Sequence, residues 1–194
     1  MTAGGYDAFA DPYCYEGTFV LKNKAGRRTE AELEAFELEM YDERVGEPLP
    51  EGDFGPAHYQ AVHHHLFQDV YDWAGQYRTV RTAKGGNPFC YPEYIEAEMT
   101  RLFARLSGDS FRPETDLAVF ATAAAEFLGE LNAIHPFREG NGRAQLSFLH
   151  LLARRAGHRL DFNRIKPATF MRAMITSFHG DTALLAAEIA ALGR

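Results

Sequence analysis

The chain has 194 residues, of which 46% are apolar and 13% aromatic, with a formal net charge of -7. This length fits one compact domain with at most a short arm, and the apolar content excludes a disordered chain. So acidic a surface repels phosphate backbones, which excludes non-specific binding to nucleic acid.

Residues 1–28 hold Gly, Asp, Pro and Tyr with one short apolar stretch, Thr18 to Leu21, and read as an irregular arm. Residues 29–194 read as a single domain. Thr29 opens its first helix: Glu32 lies three residues on, the capping-box spacing that satisfies free N–H groups at a helix start. Leu33, Phe36, Met40 and Tyr41 form the inner face, and Glu30, Glu32, Glu34, Glu37 and Glu39 a solvated outer one. A second helix begins near Pro56, where a missing N–H is harmless. Its apolar stripe is Tyr59, Val62, Leu66, Val70 and Trp73, and Gly75 is the expected stop. Within it, His63, His64 and His65 point about 100° apart, so they cannot converge on one metal ion and read as surface or partly buried side chains.

Residues 76–91 change character, with alternating β-branched residues in Thr79-Val80-Arg81-Thr82 and then Gly85-Gly86-Asn87-Pro88. They read as a hairpin or flap. Helical spacing returns in Ile95, Met99, Leu102, Phe103 and Leu106. A long alanine-rich helix over about 114–132 is expected to be central and buried. Helices are expected again over 144–156, 167–178 and 181–192, which makes the class all-α with one small β element.

Cys14 and Cys90 show no CxxC spacing and read as ordinary buried or half-buried thiols. No apolar run is seen to approach the ~18 residues of a membrane helix. The first seventeen residues lack the basic and apolar regions of a signal peptide. The expected compartment is the cytoplasm, with neither membrane nor nucleic acid as partner.

The chemistry is concentrated in His135-Pro136-Phe137-Arg138-Glu139-Gly140-Asn141-Gly142-Arg143. Pro136 disfavours helical geometry at His135, so the imidazole sits at a break after the central helix. Phe137 is expected to plug into the core. Gly140, Asn141 and Gly142 tolerate positive φ and precede a helix start, where free N–H groups and the helix dipole favour an anion. Arg143 is a cation in the first turn, unfavourable there unless a phosphate is its partner. Glu139 is the oxygen ligand that Mg²⁺ accepts beside phosphates. A base, a carboxylate and a phosphate cradle within nine residues suit phosphoryl or nucleotidyl transfer.

This string resembles the Fic motif, HPFx[D/E]GNGR, at every defined position. The similarity extends to Tyr15–Lys24, to Val80–Cys90 and to the tail after Ala156-Gly157-His158-Arg159-Leu160-Asp161. It implies a Fic/Fido fold, a helical bundle with a small β-hairpin flap beside the active-site loop. The implied activity is transfer of AMP from ATP to a Tyr, Thr or Ser hydroxyl on a target protein, as a toxin or effector. The resemblance implies His135 as the base, Glu139 as the Mg²⁺ ligand, and Gly140, Asn141, Gly142 and Arg143 as the phosphate site, with Lys84 and Gly85 approaching from the flap. Thr82, Ala83, Lys84, Gly86 and Phe89 would dock an extended target segment by strand addition.

One departure stands out. The fuller family pattern, GNGRxxR, places a second arginine where this chain has Leu146, so the γ-phosphate lacks that contact. The family's inhibitory motif, [S/T]xxxE[G/N], is absent from the chain, which resembles the class held in check by a separate small antitoxin. Alternatives on the same fold are another donor, phosphoryl transfer with an inverted nucleotide, or a binding module without catalysis.

Overall fold

The longest apolar stretch of the sequence becomes the centre of the molecule. In a computed structural model, which describes residues 11–194, the central helix α4 runs Leu117–Ile134, with seven helices in all among the described residues. Helix α4 starts later than its composition suggests because Glu114 takes φ 70°, a left-handed conformation no helix admits. Asp116 caps it instead, its carboxylate accepting from the Ala118 N–H at 2.8 Å. Helices α3 (Ile95–Ala104), α5 (Asn141–Arg155), α6 (Pro167–Phe178) and α7 (Ala183–Ala191) pack around it. At 18 residues and mean hydropathy 1.4, α4 is long and apolar enough to cross a membrane by length and composition, against the sequence expectation. Half of it is buried inside the protein, as suits a core helix.

Helix α1 (Glu30–Val45) opens with the expected capping box: Glu32 N–H donates to Thr29 Oγ1, and Thr29 N–H to Glu32 Oε2, each at 3.3 Å. Helix α2 spans Pro56–Phe67 and ends eight residues before Gly75. The reason is a tertiary bond. Gly75 N–H donates to His63 Nδ1 at 2.9 Å, so the chain must double back; a continued helix would carry residue 75 about 12 Å further along the axis. Val70 and Trp73 therefore stand in turns, with the Val70 and Tyr71 N–H groups both donating to Phe67 O at 3.0 Å.

The flap is real but small. Strands β1 (Ala83–Lys84) and β2 (Asn87–Pro88) pair antiparallel through Gly85 and Gly86, at φ 58° and 81°. Two successive positive φ values make the turn that matches strand twist, which is why two glycines stand there.

Residues 11–28 of the expected arm join the main core, whereas 1–10 lie outside the described residues. Cys14, Val20 and Leu21 are buried in it. Cys14 is buried and Cys90 half-buried, both as free thiols. Asp11 pairs with Arg138 of the motif loop at 2.7 Å, and both side chains are nearly inaccessible. Removing one partner of a buried ion pair is destabilising. Asp11→Asn is accordingly expected to lower stability by about 2–4 kcal/mol in urea unfolding, with a loss below about 0.5 kcal/mol showing that the arm does not anchor the loop.

Candidate active site

The loop between α4 and α5 joins a helix C-terminus to a helix N-terminus. His135 caps α4 in a left-handed conformation, φ 49° and ψ 62°, its N–H still donating to Leu131 O at 3.0 Å. The sequence argument from Pro136 gave the break, and the αL conformation is its form. Phe137 is fully buried, stacked on His63 at 3.7 Å between centroids and tilted over Tyr59. The loop is pinned as expected.

Of the glycine–asparagine–glycine trio, each member does something different. Gly140 has φ 80°, and a Cβ there would lie 2.5 Å from the Phe67 ring, so the protein itself demands glycine. Asn141 tolerates positive φ but does not adopt it: it begins α5, and its buried side chain holds the loop. Its Oδ1 accepts from Phe137 N–H at 3.0 Å and its Nδ2 donates to Phe137 O at 2.8 Å. Gly142 has no positive φ either, and a Cβ there would meet nothing within 4 Å. The first intrahelical bond of α5 is Ala144 N–H to Gly140 O, so the preceding N–H groups form the helix's open positive end.

Arg143 lies over the Phe67 ring at 4.7 Å and pairs with Glu37 of α1 at 2.5 Å, with Glu139 at 3.8 Å. The other oxygen of Glu37 accepts from the Tyr71 hydroxyl. Glu37 was expected on a solvated face. It instead reaches inward beside the motif arginine, a role its sequence context does not signal, because it sits among four other glutamates. Glu139 Oε1 accepts from Gly140 N–H at 2.9 Å.

The three consecutive histidines diverge. His64 Nδ1 meets Ala74 O at 3.1 Å and His65 Nε2 meets Arg44 O at 3.0 Å. His63, however, is fully buried and belongs to the site. Its Nε2 lies 2.9 Å from Glu139 O and its Nδ1 accepts from Gly75 N–H, which fixes the neutral tautomer with the proton on Nε2.

His135 is half-buried, stacked on Phe89 of the flap at 3.9 Å between centroids and only 8° from parallel. Its Nδ1 is buried without a closed hydrogen bond, and the Asn132 carbonyl one turn back is the acceptor that supports its protonated form. Burial first, then the charges of Arg78 and Lys84, hold its pKa down to about 3. The imidazole is neutral at physiological pH, the form a proton acceptor needs.

In the flap, Thr82 and Phe89 are buried, so neither is on the accessible docking edge; Ala83, Lys84 and Gly85 are exposed and Gly86 largely so. Lys84 and Gly85 form no hydrogen bond or ion pair with the motif loop among the described residues. Sequence reasoning missed Arg78. Its side chain, 2% exposed, donates to four backbone carbonyls around His135 and the flap, and a lone arginine before a strand gives no sign of that.

A family model, the Fic/DOC family, matches residues 53–153, just over half of the chain. The chain belongs to the Fic/DOC family. A probable protein adenylyltransferase of Sinorhizobium fredii is 56% identical over 185 residues, covering 95% of this chain and 96% of that protein. The protein adenylyltransferase VbhT of Bartonella schoenbuchensis is 35% identical, covering 95% of this chain but 39% of that longer protein. Among solved structures, the Bartonella tribocorum effector BepC with bound AMPPNP superposes with a TM-score of 0.83 at 26% identity, covering 94% of this chain and 96% of that one. Against the longer Fic pattern, Leu146 is half-buried and packed against the core.

The two site histidines also set an acid limit on the fold. Burial holds the His63 pKa down to about 3, as for His135. The unfolded value is about 6.5, so between the two the unfolded chain binds protons that the folded one does not. Stability present above about pH 6.5 is then lost as pH falls toward 3. Replacing His63 by Gln should flatten this limb by about 1.4 kcal/mol per pH unit, read from urea unfolding between pH 7.5 and 4.5; parallel limbs in the two proteins would show that His63 does not stay neutral.

Proposed function

We propose that this Fic/DOC protein is a protein adenylyltransferase, transferring AMP from ATP to a Tyr, Thr or Ser hydroxyl of a target protein. One observation carries the reading. The first turn of α5 presents its free N–H groups beside Gly142, where a Cβ would meet nothing within 4 Å among the described residues, seven residues from a neutral imidazole. A backbone left bare at a helix N-terminus is what close approach of phosphate requires. The names of the relatives and the nucleotide in the BepC structure support the same class of chemistry.

In this reading the phosphates lie on the Gly140–Arg143 turn with Arg143 as the cation, and Lys84 and Gly85 approach them from the flap. A proton on His135 Nδ1, directed at the Asn132 carbonyl, leaves Nε2 as the lone-pair nitrogen. Nε2 takes the target hydroxyl's proton as its oxygen bonds to the α-phosphorus. The bond to the bridging oxygen breaks, and pyrophosphate leaves with the electron pair. No group of three or more metal-ligating side chains occurs among the described residues. A single carboxylate, Glu139, fits an ion held chiefly by phosphates, as Mg²⁺ is. Bound there, Mg²⁺ would neutralise charge on the transferred group.

The flap geometry supports one docking register. Phe89 N–H donates to Thr82 O at 3.0 Å, so Thr82 and Lys84 face β2, and Ala83 turns its N–H and C=O outward. The other side of the hairpin is taken, because Cys90 N–H donates to Ala133 O at 3.1 Å. The target strand adds to the β1 edge at Ala83. Leu146, apolar where a phosphate contact stands in the longer pattern, favours a second reading in which another nucleotide or an inverted ATP is the donor.

Three experiments test these readings. With α- and γ-labelled ATP and Mg²⁺ in a cell lysate, label from the α position is expected on a protein band, absent in His135→Ala. Gly142→Ala should match the parent in melting temperature yet bind ATP about tenfold or more weakly in calorimetry. Label from γ alone would establish the second reading, and ATP affinity unchanged in Gly142→Ala would place the phosphates elsewhere. Ala83→Pro deletes one outward N–H; target labelling should fall about tenfold with ATP affinity unchanged, and full labelling would exclude docking at this edge.

A further inference from the structure

Arg78 is among the largest fully buried side chains of the molecule, and the proposed reaction assigns it no chemical task. Its contacts fall in two sets. Nε donates to His135 O at 2.7 Å and Nη2 to Ile134 O at 3.1 Å, the last carbonyls of α4 and its cap. Nη1 donates to Val80 O at 2.6 Å and Nη2 also to Cys90 O at 2.5 Å, carbonyls flanking the hairpin on its entering and leaving sides. The Arg78 N–H itself donates to Pro136 O at 2.8 Å. The guanidinium therefore ties the residue before His135, His135 itself and both feet of the flap, and the backbone of the same arginine holds the residue after His135.

Each set has a physical reason. The carbonyls that end a helix have no intrahelical donor and carry the negative end of the dipole, so a cation there is favourable. His135 is a non-glycine residue in the left-handed region, a conformation that persists only where its surroundings enforce it. The hairpin has two residues per strand and too few ladder bonds to hold its own angle. The same two feet set Phe89, which stacks on the His135 ring and meets Phe178 edge-on at 5.9 Å.

We propose that Arg78 is a positioning residue that locks the backbone of His135 and the base of the docking flap into one geometry, so that the proton acceptor and the docked hydroxyl share a common frame. This deepens the adenylyltransferase reading and rests on it for the word hydroxyl alone; the coupling of flap to histidine stands on the structure. A lysine keeps the charge but is a point donor on a flexible stem, unable to span four carbonyls as the guanidinium fork does.

The test compares Arg78→Lys and Arg78→Gln with the parent. In Arg78→Lys, Mg²⁺·ATP affinity by calorimetry is expected to stay within about twofold, because the Gly140–Arg143 turn does not touch residue 78. Label transfer from α-labelled ATP in lysate should fall at least about tenfold, and amide exchange over residues 79–90 should quicken about tenfold while that of α5 is unchanged. The His135 ring, followed by NMR titration, should keep its midpoint in Arg78→Lys and titrate higher in Arg78→Gln, where a neighbouring positive charge is gone. Parental flap exchange and parental transfer in Arg78→Lys would overturn the proposal. So would loss of ATP affinity or of folded protein in step with transfer, since Arg78 would then support the fold at large. If the parent protein transfers no label, the adenylyltransferase reading fails, while the exchange and titration results still decide the role of Arg78.

Discussion

Within seven residues, from Ile134 to Gly140, the chain leaves one helix and prepares the next, and both helix ends present backbone groups that no helix can satisfy. Everything in the site follows from how those groups are met. The carbonyls at the end of α4 are met by the buried fork of Arg78. The carbonyl of Glu139, midway, is met by the buried ring of His63. Phe137 has both its backbone groups met by Asn141. The N–H groups at the start of α5 are the set left facing outward. Protein groups thus satisfy the turn everywhere except at the start of α5, the side to which the proposed reading assigns phosphate.

The residues that hold the loop come from distant parts of the sequence. His63 belongs to α2, Arg78 to the approach to the flap, and Asp11, which holds Arg138, to the arm. Each is buried and charged or polar, and each would be costly if its partner moved. Rigidity of the loop is therefore a property of the whole assembled domain. The same arrangement carries Glu37 of α1 to Arg143, so the first helix supplies counter-charge to the cation that the motif places in an otherwise unfavourable position.

Much of this was legible beforehand, for identifiable reasons. The Gly-Gly turn of the flap, the Thr29–Glu32 capping box and the helix start at Pro56 are local signals that the structure bears out, and apolar spacing of 3.6 located the helices but not all their ends. The motif string named the site because its residue types sit next to one another. What stayed hidden was the part built by tertiary contact. The bracing of the loop by the Asn141 side chain was not legible in the motif. Glu37 looked solvated, His63 looked peripheral and the end of α2 looked eight residues later than it is, because a hydrogen bond between His63 and Gly75 leaves no periodicity to read. Arg78 was invisible for the same reason: four carbonyls drawn from separate segments make its environment, and none of them has a side-chain identity.

The two glycines of the turn answer to different masters. At position 140 the neighbouring rings forbid any substituent, so that residue is dictated by the need to fold. At position 142 there is room to spare, and a helix would welcome alanine there. Folding alone would let residue 142 drift freely. In the proposed reading, that open side is where the phosphates of a nucleotide would pass.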